Sequence, residues 1–160
     1  MTTEPKDKEL HRIAITAIIY NSDKKYLLIK RSHDKKAFPG KWTVPGGGLE
    51  VEDYINEKPS TTALQWYGTI EKTLRREVKE ETGLEISKPE YLLDLTFIRP
   101  DGIPVLVLSY YARYISGVVK LDADSVDYKW ATLNEAKETD LIDGIYGEIE
   151  MVDQKLKSNS

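Results

Sequence analysis

Three glutamates on one turn of a helix carry the first chemical signal in this sequence. The segment Thr69 to Leu84 reads TIEKTLRREVKEETGL. Wound at about 100° per residue, it places Glu77, Glu80 and Glu81 within one arc of about 100°, with Lys72, Arg75 and Lys79 on the opposite side. A solvated helix usually interleaves its charges, so crowded carboxylates cost free energy unless a cation sits among them. A hard divalent ion such as Mg²⁺ answers that need, because it takes carboxylates, waters and phosphate oxygens together. An isolated E-x-x-E-E also fits an ordinary charged helix face, and the helix alone leaves both readings open.

A second segment, Pro45-Gly46-Gly47-Gly48-Leu49-Glu50, brings three consecutive glycines. Such a run lets backbone approach a ligand closely and take positive φ where needed; it also suits a plain turn between strands. A third element is Arg31, which ends a strand and precedes Lys35, Lys36 and Lys41. These cations could meet phosphates, although for the lysines a solvated loop is the preferred reading.

The elements that must position these groups follow from periodicity. Arg12–Tyr20 (RIAITAIIY) is β-branched and aromatic and reads as a buried strand; Asn21–Lys24 is a polar turn, and Tyr26–Lys30 is the hairpin partner. Arg31 to Gly48 is loop-like, with a short strand within Lys41–Val44. Residues 54–68 show no clear period and read as an insertion. Thr69 is placed as the N-cap of the acidic helix and Gly83 as its C-terminal stop. Strands follow at Tyr91–Ile98 and Ile103–Tyr114 around an Asp101-Gly102 turn, with shorter candidates at Val118–Leu121 and Val126–Ala131. Asn134–Thr139 and Ile145–Leu156 read as helices. Mixed hairpins and crossovers point to an α/β fold on a mixed sheet.

Composition narrows the function classes. The 160 residues suit one domain, and 40% hydrophobic with 31% charged residues is an ordinary globular balance. With 23 Lys and Arg against 27 Asp and Glu, the net charge of −4 lacks the basic footprint of a general nucleic-acid or anionic-membrane binder. The absence of cysteine removes disulfides, thiolate metal sites and cysteine nucleophiles. No apolar run approaches a membrane span, and the polar start MTTEPKDKELHR is unlike a signal peptide, so a cytoplasmic location is expected.

The order PGGGLE, then REVKEETGL, resembles the Nudix hydrolases, whose signature is G-x5-E-x7-R-E-U-x-E-E-x-G-U, with U a bulky aliphatic residue. Its second half matches at Arg76, Glu77, Val78, Glu80, Glu81, Gly83 and Leu84. Its first half matches only if the motif is split. Gly47 then leads to Asp53 in the place of the first glutamate, and Asp53 precedes Arg76 by 23 residues where the signature has 8, an excess of 15. Gly40 to Gly47 also resembles the stretch that precedes the family motif, and the likeness covers roughly Arg12 to Leu133.

The resemblance implies a Nudix-type α/β/α sandwich over residues 1–160, with an insertion at about 54–68. It implies Mg²⁺-dependent (or Mn²⁺-dependent) cleavage of a nucleoside diphosphate linked to another moiety. Glu77, Glu80 and Glu81 would ligate metal, aided by a backbone carbonyl near Gly46 and Gly47, and Arg31 would meet phosphate. Arg76 would brace the loop–helix junction against Asp53, Glu50 or Glu52. Glu80 or Glu77 would take the proton of the attacking water, with the acids of Asp122–Asp127 as alternatives. The expected substrate is a nucleoside triphosphate; alternatives are ADP-ribose or a nucleotide sugar, or a non-catalytic nucleotide-binding module. Trp42, Trp66, Tyr67, Phe38, Tyr110 and Tyr111 could stack on a base or belong to the core. Trp66 and Tyr67 suggest that the insertion caps the pocket. The expected partner is a small nucleotide, without nucleic acid or membrane, and homodimers are common in the family.

Overall fold

The computed structural model describes residues 4–159. Its strands are β1 (Arg12–Tyr20), β2 (Tyr26–Arg31), β3 (Trp42–Thr43), β4 (Gly46–Gly48), β5 (Glu85–Ile86), β6 (Glu90–Ile98), β7 (Pro104–Ser116) and β8 (Ser125–Ala131). The helices are α1 (Thr69–Thr82), α2 (Leu133–Lys137) and α3 (Ile145–Ser158), with a single 3-10 turn at Val51–Asp53. The strands form one eight-stranded mixed sheet around β1. β1 runs parallel to β7 along its whole length, from Arg12 opposite Val105 to Tyr20 opposite Arg113.

Strand alternation builds the layers. Ile15, Ala17 and Ile19 of β1 and Leu27 and Ile29 of β2 pack with Leu74 and Val78 of α1. Their alternates, Ile18, Tyr26 and Leu28, pack with Ala136 of α2 and with Ile149 and Val152 of α3. Helices therefore cover both faces, giving the α/β/α arrangement expected from the sequence. Leu74 and Val78 are fully buried, and truncating such a side chain to alanine costs roughly 2–4 kcal/mol. That packing fixes the rotation of α1, and hence which of its glutamates turns inward. Among the described residues no helix is long and apolar enough to cross a membrane.

Several local expectations need correction. The three glycines are strand rather than turn: Gly48, Gly47 and Gly46 pair with Ala14, Ile15 and Thr16. The N-cap of α1 is Gly68 at φ 76°, and Thr69 is already helical. Val118–Leu121 forms no strand; the Lys120 N–H instead donates to the Thr82 carbonyl at 2.9 Å, closing the end of α1. Strand β5 and the 3-10 turn are too short for a periodic signal.

Candidate active site

The site lies where the edge of β1 changes partner. β2 pairs with β1 at Tyr20, whereas β4 takes the same strand at Ala14–Thr16. Between them opens a cavity of about 390 Å³, lined by Gly46, Gly47 and Gly48 together with Glu50, Glu77 and Glu81, and by Arg12, Arg31, Lys35 and Asp124 on its cationic and loop sides.

The glycines are required by close approach, and none of the three has positive φ. A Cβ on Gly47 would lie 2.1 Å from the Glu77 carboxyl carbon, and one on Gly48 would lie 2.3 Å from an Arg12 guanidinium nitrogen. A Cβ on Gly46 would meet the Ile15 carbonyl oxygen at 2.3 Å. Bare backbone is what lets α1 and Arg12 close onto β4.

Arg76 organises the acids of α1. Its Nε donates to Asp53 Oδ1 at 2.5 Å and Nη2 to Asp53 Oδ2 at 3.2 Å. Nη1 donates to Glu80 Oε2 at 3.0 Å, and Nη2 lies 3.1 Å from Glu77 Oε1. Asp53, with only 3% of its side chain exposed, also accepts from the Glu50 N–H at 2.9 Å. Burial by itself raises the Asp53 pKa, but the hydrogen bonds from Arg76 and Glu50 hold it below the usual aspartate value. The acid bracing Arg76 is thus Asp53 rather than Glu52.

Electrostatics single out Glu81. Burial pushes its carboxyl up to about 8, and the charges of Glu77 and Asp122 add to the rise, against the pull of the Gly46 amide. Glu77 is also raised by burial, against the pull of Arg76, with Glu80 and Glu50 pushing the same way as burial. A buried acid so short of positive charge fits a hard cation with oxygen ligands. No three acidic or histidine groups among the described residues stand ready-made around an ion; Arg76 holds Glu77 and Glu80 instead.

The helix arc anticipated from sequence is therefore only partly directed inward. Glu77 and Glu81 line the cavity; Glu80 does not, and its side chain is exposed beside Arg76. Arg31 does line it, with Nε donating to the Ala37 carbonyl at 2.9 Å. Of the alternative loop acids, Asp124 reaches the wall and pairs with Lys35 at 3.2 Å. Sequence reasoning missed Arg12, an arginine at a strand start with no motif around it.

The aromatic candidates lie elsewhere. Trp42, Tyr110 and Tyr111 belong to the core clusters. Trp66 packs on Tyr54 at 5.2 Å between ring centroids and donates to the Glu57 carbonyl at 3.0 Å. None of residues 54–68 lines the cavity, so this segment folds onto itself and the start of α1 and does not form a cap.

The NUDIX domain model matches residues 10–149, and the chain belongs to this family. It is a hydrolase acting on phosphoric anhydride bonds, in a family that generally uses divalent metals such as Mg²⁺. It is similar to the nucleoside triphosphatase NudI of Escherichia coli K12, 28% identical over 141 residues that cover 81% of this chain and 88% of that protein. In fold it is similar to a MutT protein from Methanosarcina mazei Go1, with a TM-score of 0.70, 23% identity and coverage of 98% of this chain and 99% of the other. It also matches the NUDIX domain of Shewanella oneidensis NrtR complexed with ADP ribose, with a TM-score of 0.71, 21% identity and coverage of 96% and 94%.

Proposed function

We propose that this chain is a Mg²⁺-dependent pyrophosphohydrolase whose preferred substrate is a nucleoside triphosphate. The observation carrying this reading is the pair Glu77 and Glu81, set against the bare Gly46–Gly47 backbone in a cavity whose rim holds Arg12, Arg31 and Lys35. The similarity to a protein named nucleoside triphosphatase supports the choice of substrate.

Glu77 and Glu81 would hold the metal from the cavity wall, and Glu80 would join them only by turning away from Arg76, with Mn²⁺ as the alternative ion. When bound, such an ion neutralises phosphate charge and makes water more acidic. Gly46 and Gly47 give the phosphates room to approach backbone, and Arg31 meets their charge. Arg76 acts as a positioning residue: braced on Asp53, it holds the carboxylates of Glu77 and Glu80 in place before substrate arrives. Glu77, largely buried in the cavity wall and raised in pKa, is the acid best suited to accept the proton of the attacking water; Glu80, exposed beside Arg76, is the alternative outside the cavity. Electrostatic preorganisation of this kind commonly contributes 10²–10³-fold or more to rate.

The test is chromatographic product analysis on a panel of nucleoside triphosphates, ADP-ribose, nucleotide sugars and dinucleoside polyphosphates, with and without Mg²⁺. Glu77→Gln and Glu80→Gln run alongside. Metal-dependent release of nucleoside monophosphate from triphosphates, reduced in both variants, supports the reading. Preferential cleavage of ADP-ribose would move the substrate, and no cleavage of any compound would favour a nucleotide-binding module.

A further inference from the structure

Next to the acidic cavity opens a second, larger cleft of about 750 Å³, and its charge is of the opposite sign. The inner cavity has four carboxylates, Glu50, Glu77, Glu81 and Asp124, against three cations. The outer cleft has five cations, Arg12, Arg31, Lys35, Lys36 and Arg99, against three aspartates. Arg12, Arg31 and Lys35 line both, so the two spaces adjoin along these side chains.

Two of the three aspartates are already occupied, Asp124 by Lys35 and Asp101 by Arg99. Among the described residues neither Arg12 nor Lys36 has an acidic partner. Concentrating unpaired cations in one concavity of a chain with net charge −4 requires a reason, because dispersed surface cations would repel each other less. No aromatic side chain lines the cleft, so it offers no face on which a base can stack. Its floor is held by backbone: the Arg99–Gly102 turn closes with Gly102 N–H donating to the Arg99 carbonyl at 2.8 Å, and Ser32 N–H donates to the Asp124 carbonyl at 2.9 Å.

We infer that the outer cleft receives the phosphate chain that extends beyond the anhydride being cleaved, so that the enzyme selects its substrate by phosphate number at this cleft. The inference rests on the pyrophosphohydrolase reading and deepens it. Acid and base compartments then divide the work: the inner one attracts the metal, and the outer one holds the terminal phosphates through Arg12 and Lys36, with Arg99 beside them in its pair with Asp101.

The probe is inorganic tripolyphosphate, titrated calorimetrically into the metal-free chain, with Lys36→Glu/Arg99→Glu as the comparison. The wild type should bind it, the double variant about tenfold more weakly, with affinity falling as salt rises. Thymidine, which has a base but no phosphate, should not displace it. The milder pair Lys36→Gln/Arg99→Gln should fall between, which separates lost charge from lost folding. Absence of binding by the folded wild type, equal binding by the double variant, or displacement by thymidine would each overturn the inference. Because the titration omits metal, it stands apart from turnover: failure to hydrolyse nucleotides would count against the enzyme reading and leave this result readable.

Discussion

Arg76 and Asp53 lie 23 residues apart in the chain and meet as a two-pronged ion pair, with Nε 2.5 Å from Oδ1 and Nη2 3.2 Å from Oδ2. The contact joins the 3-10 turn after β4 to the middle of α1, across the whole irregular stretch 54–68. It also leaves one face of the guanidinium to gather Glu77 and Glu80. A split motif thus rebuilds in space what an unbroken one would place nearby in sequence.

Removing this buried acid should be expensive. Asp53→Ala leaves Arg76 only Glu77 and Glu80 and takes the acceptor from the Glu50 N–H, and the expected loss is roughly 1–3 kcal/mol in urea unfolding. The Asp53 pKa lies below its ordinary 3.8 in the folded chain. Its contribution is therefore fully present above 3.8 and lost as pH falls through the lower folded value. Asp53→Asn should blunt the loss of stability seen in strong acid.

Glu81 gives the opposite sign. The unfolded chain releases this proton near 4.5 and the folded, metal-free chain near 8. Stability from Glu81 is thus full below 4.5 and declines as pH rises to 8, by roughly a few kcal/mol at most. Thermal unfolding of metal-free protein should show this decline, Glu81→Gln should flatten it, and Mg²⁺ should stabilise the wild type most at the alkaline end. A wild type insensitive to pH over this range would contradict the assignment.

Gly47→Ala places a methyl where the Glu77 carboxyl now sits, 2.1 Å from its carbon. A side-chain end can swing aside, so unfolding free energy should change by less than about 1 kcal/mol. The displaced carboxylate should nonetheless reduce kcat on the order of 100-fold. Steady-state kinetics beside a melting curve separates these effects.

Trp66 tests the segment 54–68 independently. Its ring packs on Tyr54 and its Nε1 donates to the Glu57 carbonyl, so Trp66→Ala should cost roughly 1–3 kcal/mol. Since no residue of the segment lines the cavity, KM should stay within about twofold of wild type, well under the tenfold that 1.4 kcal/mol of binding represents.

Much of the frame was legible in the residues themselves. β1 begins and ends where its β-branched run does, and α1 stops at Gly83, whose φ of 76° is what the stop requires. The glycine strand was not legible, because Gly has low strand propensity; β4 is made by its pairing with Ala14–Thr16, and Glu77 and Arg12 then close onto its bare backbone. Val118–Leu121 has an apolar strand-like pattern yet serves to close α1 through Lys120. Helical spacing put three glutamates on one arc, but burial of Leu74 and Val78 decided that Glu77 and Glu81 face the cavity and Glu80 the solvent. Asp53 emerged through family spacing; Arg12 had no local signal and became visible only when β4 folded beside it.

The proposed metal-dependent hydrolysis at Glu77 and Glu81 can be followed by phosphorus NMR of a nucleoside triphosphate reaction. Wild-type protein with Mg²⁺ should release pyrophosphate, excess EDTA should stop the release, and Glu81→Gln should slow it roughly 100-fold or more. Pyrophosphate release that persists in EDTA, or proceeds undiminished in Glu81→Gln, would contradict metal-dependent hydrolysis at these two glutamates.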